Sequence, residues 1–155
     1  MPSAPRAQDE RPRALTRLLR LRRREIELTA LAVVFVLAAH LLVRIVPFAR
    51  WHQALESILA RPRRHTISAT PNQVSHAIAR AAKRIPATRC LVQAVAATVL
   101  FRICGMQAEL HIGARISAKG MEAHAWVAHD NVIRVGWLPD LRSFAPFPLG
   151  GRLPL

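Results

Sequence analysis

"RCLVQAVAATVLFRICG", residues 89–105, is an apolar segment of helical length with a cysteine at each end. Gly105 stands where a helix C-cap commonly falls, so the sequence predicts a helix that begins at Cys90. The field at a helix N-terminus favours a thiolate over a thiol, and Arg89 adds a positive charge. Cys90 is therefore a candidate nucleophile, whereas Cys104, deep in the apolar pattern, is predicted to be a packing residue.

The two cysteines are not expected to form a disulfide with each other. Fourteen residues of helix separate their Cα atoms by roughly 21 Å. A disulfide needs Cα atoms within about 7 Å. Free thiols fit a reducing compartment, so we expect a cytoplasmic protein.

A second helix is predicted upstream, in "TPNQVSHAIARAAKRIP", residues 70–86. Thr70 is a plausible N-cap, Pro71 suits the first helical position, and Gln73 completes a capping box. Pro86 ends the pattern. The residues spaced for burial are Val74, Ala77, Ile78 and Ala81.

After Gly105 the apolar period changes from helical to alternating. Three strands are predicted, at residues 107–115, 122–129 and 132–137. Asp130–Asn131 forms a two-residue hairpin turn between the last two. Helices followed by antiparallel strands predict an α+β domain.

The chain divides by composition into three parts. A basic tail is predicted to be disordered and is followed by an N-terminal helical region, with one or two helices over 13–46 and a shorter one over 49–60. The remainder is the α+β core. The predicted boundaries are 1–12, 13–65 and 66–155.

The net charge of +14 favours anionic partners. Nucleic acid is not expected, because the basic segments hold almost no aromatic residues for base stacking and the chain has no tyrosine. The apolar run at residues 28–43 is shorter than the roughly 20 residues of a membrane-spanning helix. It is predicted to be a buried or interface helix, with membrane contact through 28–43 as the alternative.

His124 is the candidate base. It opens the strand "HAWVAH" and shares one face of it with Trp126. A cysteine that opens a helix and a histidine near the start of a strand are the arrangement of cysteine hydrolases with a Cys-His pair.

The segment from "RCLVQA" through "CGMQAELHIGAR" to "AHAWV" resembles the transglutaminase-like core of the leader peptidases of lasso-peptide biosynthesis, the B-protein proteases. The likeness covers residues 28–137. It implies a papain-like cysteine protease fold, with the nucleophile-bearing helix packed on an antiparallel sheet. It further implies that Cys90 is the nucleophile and His124 the general base, and that the protein removes the leader of a ribosomally made precursor peptide without a cofactor or a metal.

The resemblance also implies an acid that orients the histidine. Asp130 is the first candidate, because family members carry an aspartate at this hairpin. In a regular strand, however, its Cα lies roughly 20 Å from that of His124. Regular pairing from the turn places residue 137 opposite His124, with no acid beside it. Asp140 is the alternative third residue, and a backbone carbonyl or a water could also orient the ring.

The expected partners follow from the same resemblance. Nothing in the sequence is typical of a leader-binding module, so we expect a separate leader-recognition protein, with the N-terminal helices as a docking surface for it or for the lasso cyclase. Acyl transfer to an amine is a rival chemistry. A non-enzymatic basic membrane-associated or scaffold protein of a peptide-maturation complex is the alternative function. A zinc site is disfavoured, because no cysteine pair has C-x-x-C spacing.

Overall fold

The structure is a computed structural model, and it describes residues 10–60, 67–86, 88–118 and 120–147. The tail before Glu10, the linker at 61–66 and residues 148–155 lie outside the described residues, so the disorder predicted for most of the tail stays a prediction. Residues 10–12 of that tail already belong to the first helix. The four helices are α1 Glu10–Ile45, α2 Phe48–Ala60, α3 Pro71–Arg84 and α4 Cys90–Ile103.

The α3 helix begins as its sequence predicts. The Thr70 hydroxyl accepts a hydrogen bond from the Gln73 backbone N–H, and the Gln73 side chain accepts one from the Thr70 N–H. This reciprocal pair satisfies two donors that a helix start leaves open. The four residues predicted to be buried on α3 are all buried: Val74, Ala77, Ile78 and Ala81.

An antiparallel sheet follows the helices, with strand order β3-β2-β1-β4. Asp130 and Asn131 both have positive φ, at 52° and 59°, which is the backbone of a two-residue hairpin turn whose twist matches its strands. A short 3-10 helix, Leu141–Ser143, leads into the last strand. The strands are β1 Glu109–Ser117, β2 Gly120–His129, β3 Val132–Val135 and β4 Ala145–Pro146.

The sheet has two faces with different roles. Ala125 and Val127 of β2 are buried in the same hydrophobic cluster as α4, and their face is the inner face of the sheet. Their neighbours His124 and Trp126 project from the opposite, outer face, because side chains alternate along a strand. Cross-strand pairing adds residues of β1 to this outer face: His111, Gly113 and Arg115.

The N-terminal helices and the sheet share one core. Leu28 and Val36 of α1 and Trp51 of α2 belong to the same buried cluster as Phe101 of α4 and Val127 of β2. The domain boundary at residue 65 falls outside the described residues and stays a prediction, but no separate core lies on either side of it among the described residues.

The pairing of β2 with β3 differs from the regular register that the sequence suggests. His129 pairs with Val132 as predicted, but a bulge between Val127 and Ala128 shifts the register so that Val127 pairs with Val135. A bulge adds one residue to one strand and bends it. As a result β3 ends at Val135, and the chain turns at Gly136 beside His124 rather than placing Trp137 there.

Candidate active site

Cys90 is the first residue of α4, as the sequence predicts. Its side chain is half-buried and packs at the edge of the core. Arg89 occupies the N-cap but its side chain makes no hydrogen bond to the helix. The first turn of a helix has N–H groups without intrahelical acceptors. A negatively charged oxygen beside the thiol would meet these donors and the positive end of the helix dipole.

Cys104, at the other end of α4, is in a different environment. It is buried, with 4% of its surface exposed, and burial raises its pKa. Both effects suppress the reactive thiolate. The structure therefore agrees with the prediction that Cys104 is a packing residue.

This difference predicts selective alkylation. A limiting amount of iodoacetamide is expected to modify Cys90 at least about tenfold faster than Cys104, because only Cys90 is accessible without unfolding. Peptide mapping by mass spectrometry measures both rates in one sample. Equal rates in the folded protein would contradict this placement of the two thiols, and denaturant supplies the control in which the rates converge.

A cavity of about 370 Å³ lies beside the start of α4. It opens between α1 and α4, and its lining has two arginines, one histidine and no acid. The lining residues are His40, Val43, Arg44, Arg89 and Val92. Val92 follows Cys90 by two residues, or about 200° of helix, so the cavity lies on the α1 side of α4 and the Cys90 side chain is not part of its lining.

The His124 imidazole is held by a backbone carbonyl. Its Nε2 lies 2.7 Å from the Gly136 oxygen. A carbonyl oxygen only accepts hydrogen bonds, so Nε2 carries the proton and donates it. In the neutral ring Nδ1 is then unprotonated, which is the state that a general base requires. The backbone carbonyl that the sequence left open as an orienting group is thus the one in contact with His124.

Aromatic rings enclose His124 on the outer face. The Trp126 ring is stacked with its centroid 6.3 Å away, and the Phe144 ring lies at 5.6 Å. Phe144 is buried, with 6% of its surface exposed. These rings limit the rotation of the imidazole and shield it from water on that side.

Arg115 ties the segment after β3 to the sheet. Its guanidinium bonds Glu122 at 2.7 Å, Ser143 at 2.9 Å and the Asp140 carboxylate. It also lies 4.5 Å from the centre of the Phe144 ring, within cation–π distance. No pattern in the sequence pointed to Arg115 or Phe144 as neighbours of His124. Only the closure of the chain over the outer face shows that they surround His124.

Asp140, the alternative third residue, is engaged by this guanidinium. The hydrogen bond from Arg115 is the main cause that lowers the pKa of the Asp140 carboxyl, and a Coulombic interaction with the nearby His124 contributes a smaller lowering. Asp140 is therefore in the electrostatic field of His124. Its bonding partner, however, is Arg115.

Asp130, the orienting acid that the resemblance favours, lies elsewhere. It sits in the hairpin turn with 80% of its side chain exposed, and its carboxylate is 3.3 Å from Nε2 of His129. Five residues of strand separate His129 from His124. The structure therefore pairs Asp130 with a different histidine and does not place it to orient His124.

The other two strand histidines, His111 and His129, lie on opposite faces of the sheet. His129 shares the inner face with Ala125 and Val127, only 11% of its side chain is exposed, and its ring lies 5.7 Å from that of Phe101. His111 is about one-third exposed and stacks on Trp126 with centroids 5.5 Å apart. Strand alternation, already present in the sequence, explains both positions.

Cys90 and His124 are not joined by a hydrogen bond in the described part of the chain. Phe101 of α4 contacts His129 of β2, so α4 packs on the strand that carries His124. This packing uses the inner face of the sheet, whereas His124 projects from the outer face.

Metal chemistry finds no support in the side chains. In the residues that the structure describes, no group of three or more His, Cys, Asp or Glu is arranged to hold a metal ion. Asp130 and His129 pair with each other at the hairpin, away from Cys90.

The helix that begins at Cys90 packs against an antiparallel sheet that carries His124, and together they form an α+β fold. Residues 33–148 match the family model of the transglutaminase-like superfamily, and the chain belongs to this superfamily. The predicted fold class is thereby confirmed. Neither the curated proteins nor the solved structures give a significant match to the chain.

Proposed function

We propose that this protein is a cysteine protease that removes the leader from a lasso-peptide precursor. The observation that carries the proposal is the hydrogen bond from Nε2 of His124 to the Gly136 carbonyl, which leaves Nδ1 as the basic nitrogen. Membership in a superfamily that includes cysteine proteases supports the chemistry. The lasso-peptide substrate rests on the resemblance around "CLVQA" and "AHAWV" alone.

The proposed mechanism assigns one role to each group. Nδ1 of His124 takes the proton of the Cys90 thiol, and the thiolate attacks the scissile carbonyl. The N–H groups at the start of α4 stabilise the oxyanion. The imidazolium then gives its proton to the leaving amine, and water activated by the same ring hydrolyses the thioester.

This mechanism requires the two side chains to approach each other. Because α4 packs on the inner face of the sheet and His124 projects from the outer one, the proposed mechanism requires a movement that brings the imidazole to the thiol. Catalytic hydrogen bonds are often long in the absence of substrate and shorten when it binds. The Gly136 contact keeps the ring in the required tautomer meanwhile.

In this proposal the cavity between α1 and α4 binds a part of the substrate away from the scissile bond. Arg44 and Arg89 give the cavity a positive charge, which suits an acidic side chain of the peptide. In this proposal a separate leader-recognition protein captures the leader and delivers the cleavage site, and the released core peptide passes to the lasso cyclase.

A cleavage assay tests the proposal. The full-length protein is mixed with a precursor peptide, with and without the candidate leader-recognition protein, and the products are identified by mass spectrometry. We expect a single cut between leader and core that depends on the recognition protein. The absence of any cut with all components present would reject the proposal and favour a non-enzymatic role. Transfer of the acyl group to an added amine would identify a transferase instead.

The third residue is tested by a matched pair of substitutions. Asp140→Asn is expected to lower the cleavage rate by roughly tenfold, because it weakens the Arg115 contact that holds the segment from Gly136 to Phe144. Asp130→Asn is expected to leave the rate unchanged. Since the pKa of Asp140 is lowered in the folded state, its contact with Arg115 is present at neutral pH and is lost as pH falls through that pKa.

The measurement is the rate of leader cleavage as a function of pH for both variants. A loss of activity in Asp130→Asn with none in Asp140→Asn would contradict the assignment and restore the hairpin aspartate as the orienting group. Circular dichroism of each variant supplies the folding control.

A further inference from the structure

The α1 helix has two apolar stripes on opposite sides. One stripe is buried against the core and contains Leu28, Ala32, Val36 and Ala39. At 100° per residue, the other stripe lies on the far side of the helix. The residues of this second stripe are each between 46% and 73% exposed. This exposed stripe consists of Ile26, Val34, Leu37, Leu41 and Ile45.

A stripe of this size needs an explanation. It runs for roughly 29 Å along the helix. Soluble monomers rarely expose contiguous apolar patches of such length without a partner. The segment Arg22–Ile45 is long and apolar enough to cross a membrane by length and composition, and 22% of its most apolar part is buried. The core helix of a soluble protein would be mostly buried.

The α1 helix cannot cross a lipid bilayer while the fold is intact, because its buried stripe packs against α3 and α4. A helix that keeps one side in a protein core can still lie along a bilayer surface. In that position the exposed stripe enters the boundary between headgroups and acyl chains. The geometry therefore favours in-plane contact.

Positive charge lies alongside the stripe. A groove of about 410 Å³ opens between α1 and α3 next to Ile26, and three arginines line it: Arg22, Arg80 and Arg84. Glu25 is the one acid in its lining. The Nε of Arg80 bonds the Thr29 hydroxyl at 3.0 Å, which holds that guanidinium at the groove. At the other end of the stripe Arg44 and Arg50 are exposed.

We propose that the exposed stripe of α1 docks this protein on a membrane surface of anionic lipid, with lipid phosphates at the arginine groove between α1 and α3. The net charge of +14 selects anionic over neutral lipid. An acidic protein surface carries the same sign of charge as anionic lipid, so the test uses vesicles that contain no protein. The proposal stands apart from the protease assignment, because it uses neither Cys90 nor His124.

Vesicle co-sedimentation of the full-length protein tests it. Vesicles of phosphatidylcholine with phosphatidylglycerol are compared with vesicles of phosphatidylcholine alone. We expect binding to the mixed vesicles, much weaker binding to the neutral ones, and release by sodium carbonate as for a peripheral protein.

Substitutions in the exposed stripe test the apolar contribution to membrane binding, and substitutions in the arginine groove test the electrostatic contribution. Leu37→Glu and Leu41→Glu are each expected to weaken binding by about tenfold or more. The double variant Arg22→Gln/Arg84→Gln is expected to weaken binding to anionic vesicles by roughly 20-fold, without affecting neutral ones. Ile116→Glu is the matched control, because Ile116 is equally apolar, 91% exposed and located on β1, and it should bind as wild type.

Four results would overturn the proposal. They are equal binding to both vesicle types, unchanged binding by Leu41→Glu, retention through carbonate extraction, and a dimer in solution that Leu41→Glu separates while wild type binds no vesicles. The last result would assign the stripe to a second copy of the chain. Leader cleavage in solution is measured alongside, so failure of membrane binding is distinguished from loss of the protease.

Discussion

Replacement of Cys90 by alanine is expected to lower the rate of leader cleavage by at least about 10⁴-fold, since removal of a nucleophile stops the covalent route. The free energy of unfolding is expected to change by less than about 1 kcal/mol, because the side chain is only half-buried and makes no hydrogen bond in the described part of the chain. Single-turnover mass spectrometry measures the first effect and thermal unfolding the second.

Cys104→Ala is the matched control for the other thiol. It is expected to retain full activity and to lose about 1–2 kcal/mol of stability, because it leaves a small cavity under α4. His124→Ala should match Cys90→Ala in activity, and the double variant should be no worse, since the two residues act as one unit. Persistent cleavage by Cys90→Ala would exclude Cys90 as the nucleophile and end the protease proposal.

Gly136→Ala is expected to have the largest effect on stability. Gly136 has a φ of 79°, which side chains rarely adopt, and an added Cβ would lie 2.6 Å from the Ala125 carbonyl oxygen. Left-handed backbone and a clash with a neighbouring strand together cost about 2–5 kcal/mol. Relief of the clash moves the carbonyl that holds His124, so the cleavage rate is expected to fall by about 100-fold in addition.

Gly120→Ala is the control that separates the cost of left-handed backbone from the cost of the clash with a neighbouring strand. Gly120 also has a positive φ, at 106°, but nothing lies within 4 Å of an added Cβ. It should lose only about 1–2 kcal/mol and keep its activity. Equal effects of the two substitutions on cleavage would show that the Gly136 carbonyl does not position His124. Urea unfolding and initial cleavage rates measure both quantities.

Local sequence rules were sufficient for most secondary structure. The capping box at Thr70, the helix start at Cys90 and the Asp130–Asn131 turn each depend on residues within a few positions of one another, and each is present in the structure. The bulge after Val127 could not be predicted this way. The bulge is a feature of the pairing of β2 with β3, and β3 also contacts α3, which is distant in the sequence.

The same distinction between local sequence rules and contacts of distant segments applies to the candidate site. Sequence by itself determined the α+β order, the helix start that carries Cys90, the strand that carries His124 and the alternation that sets His124 beside Trp126. Only the tertiary structure decided what holds His124, because the bulge and the turn at Gly136 bring a carbonyl to the ring. Only the tertiary structure showed that Asp130 lies away from His124 and that the Asp140 carboxylate bonds Arg115. Hydrogen bonds between distant segments are formed by chain closure, and no local pattern of residues encodes which carbonyl or carboxylate will arrive.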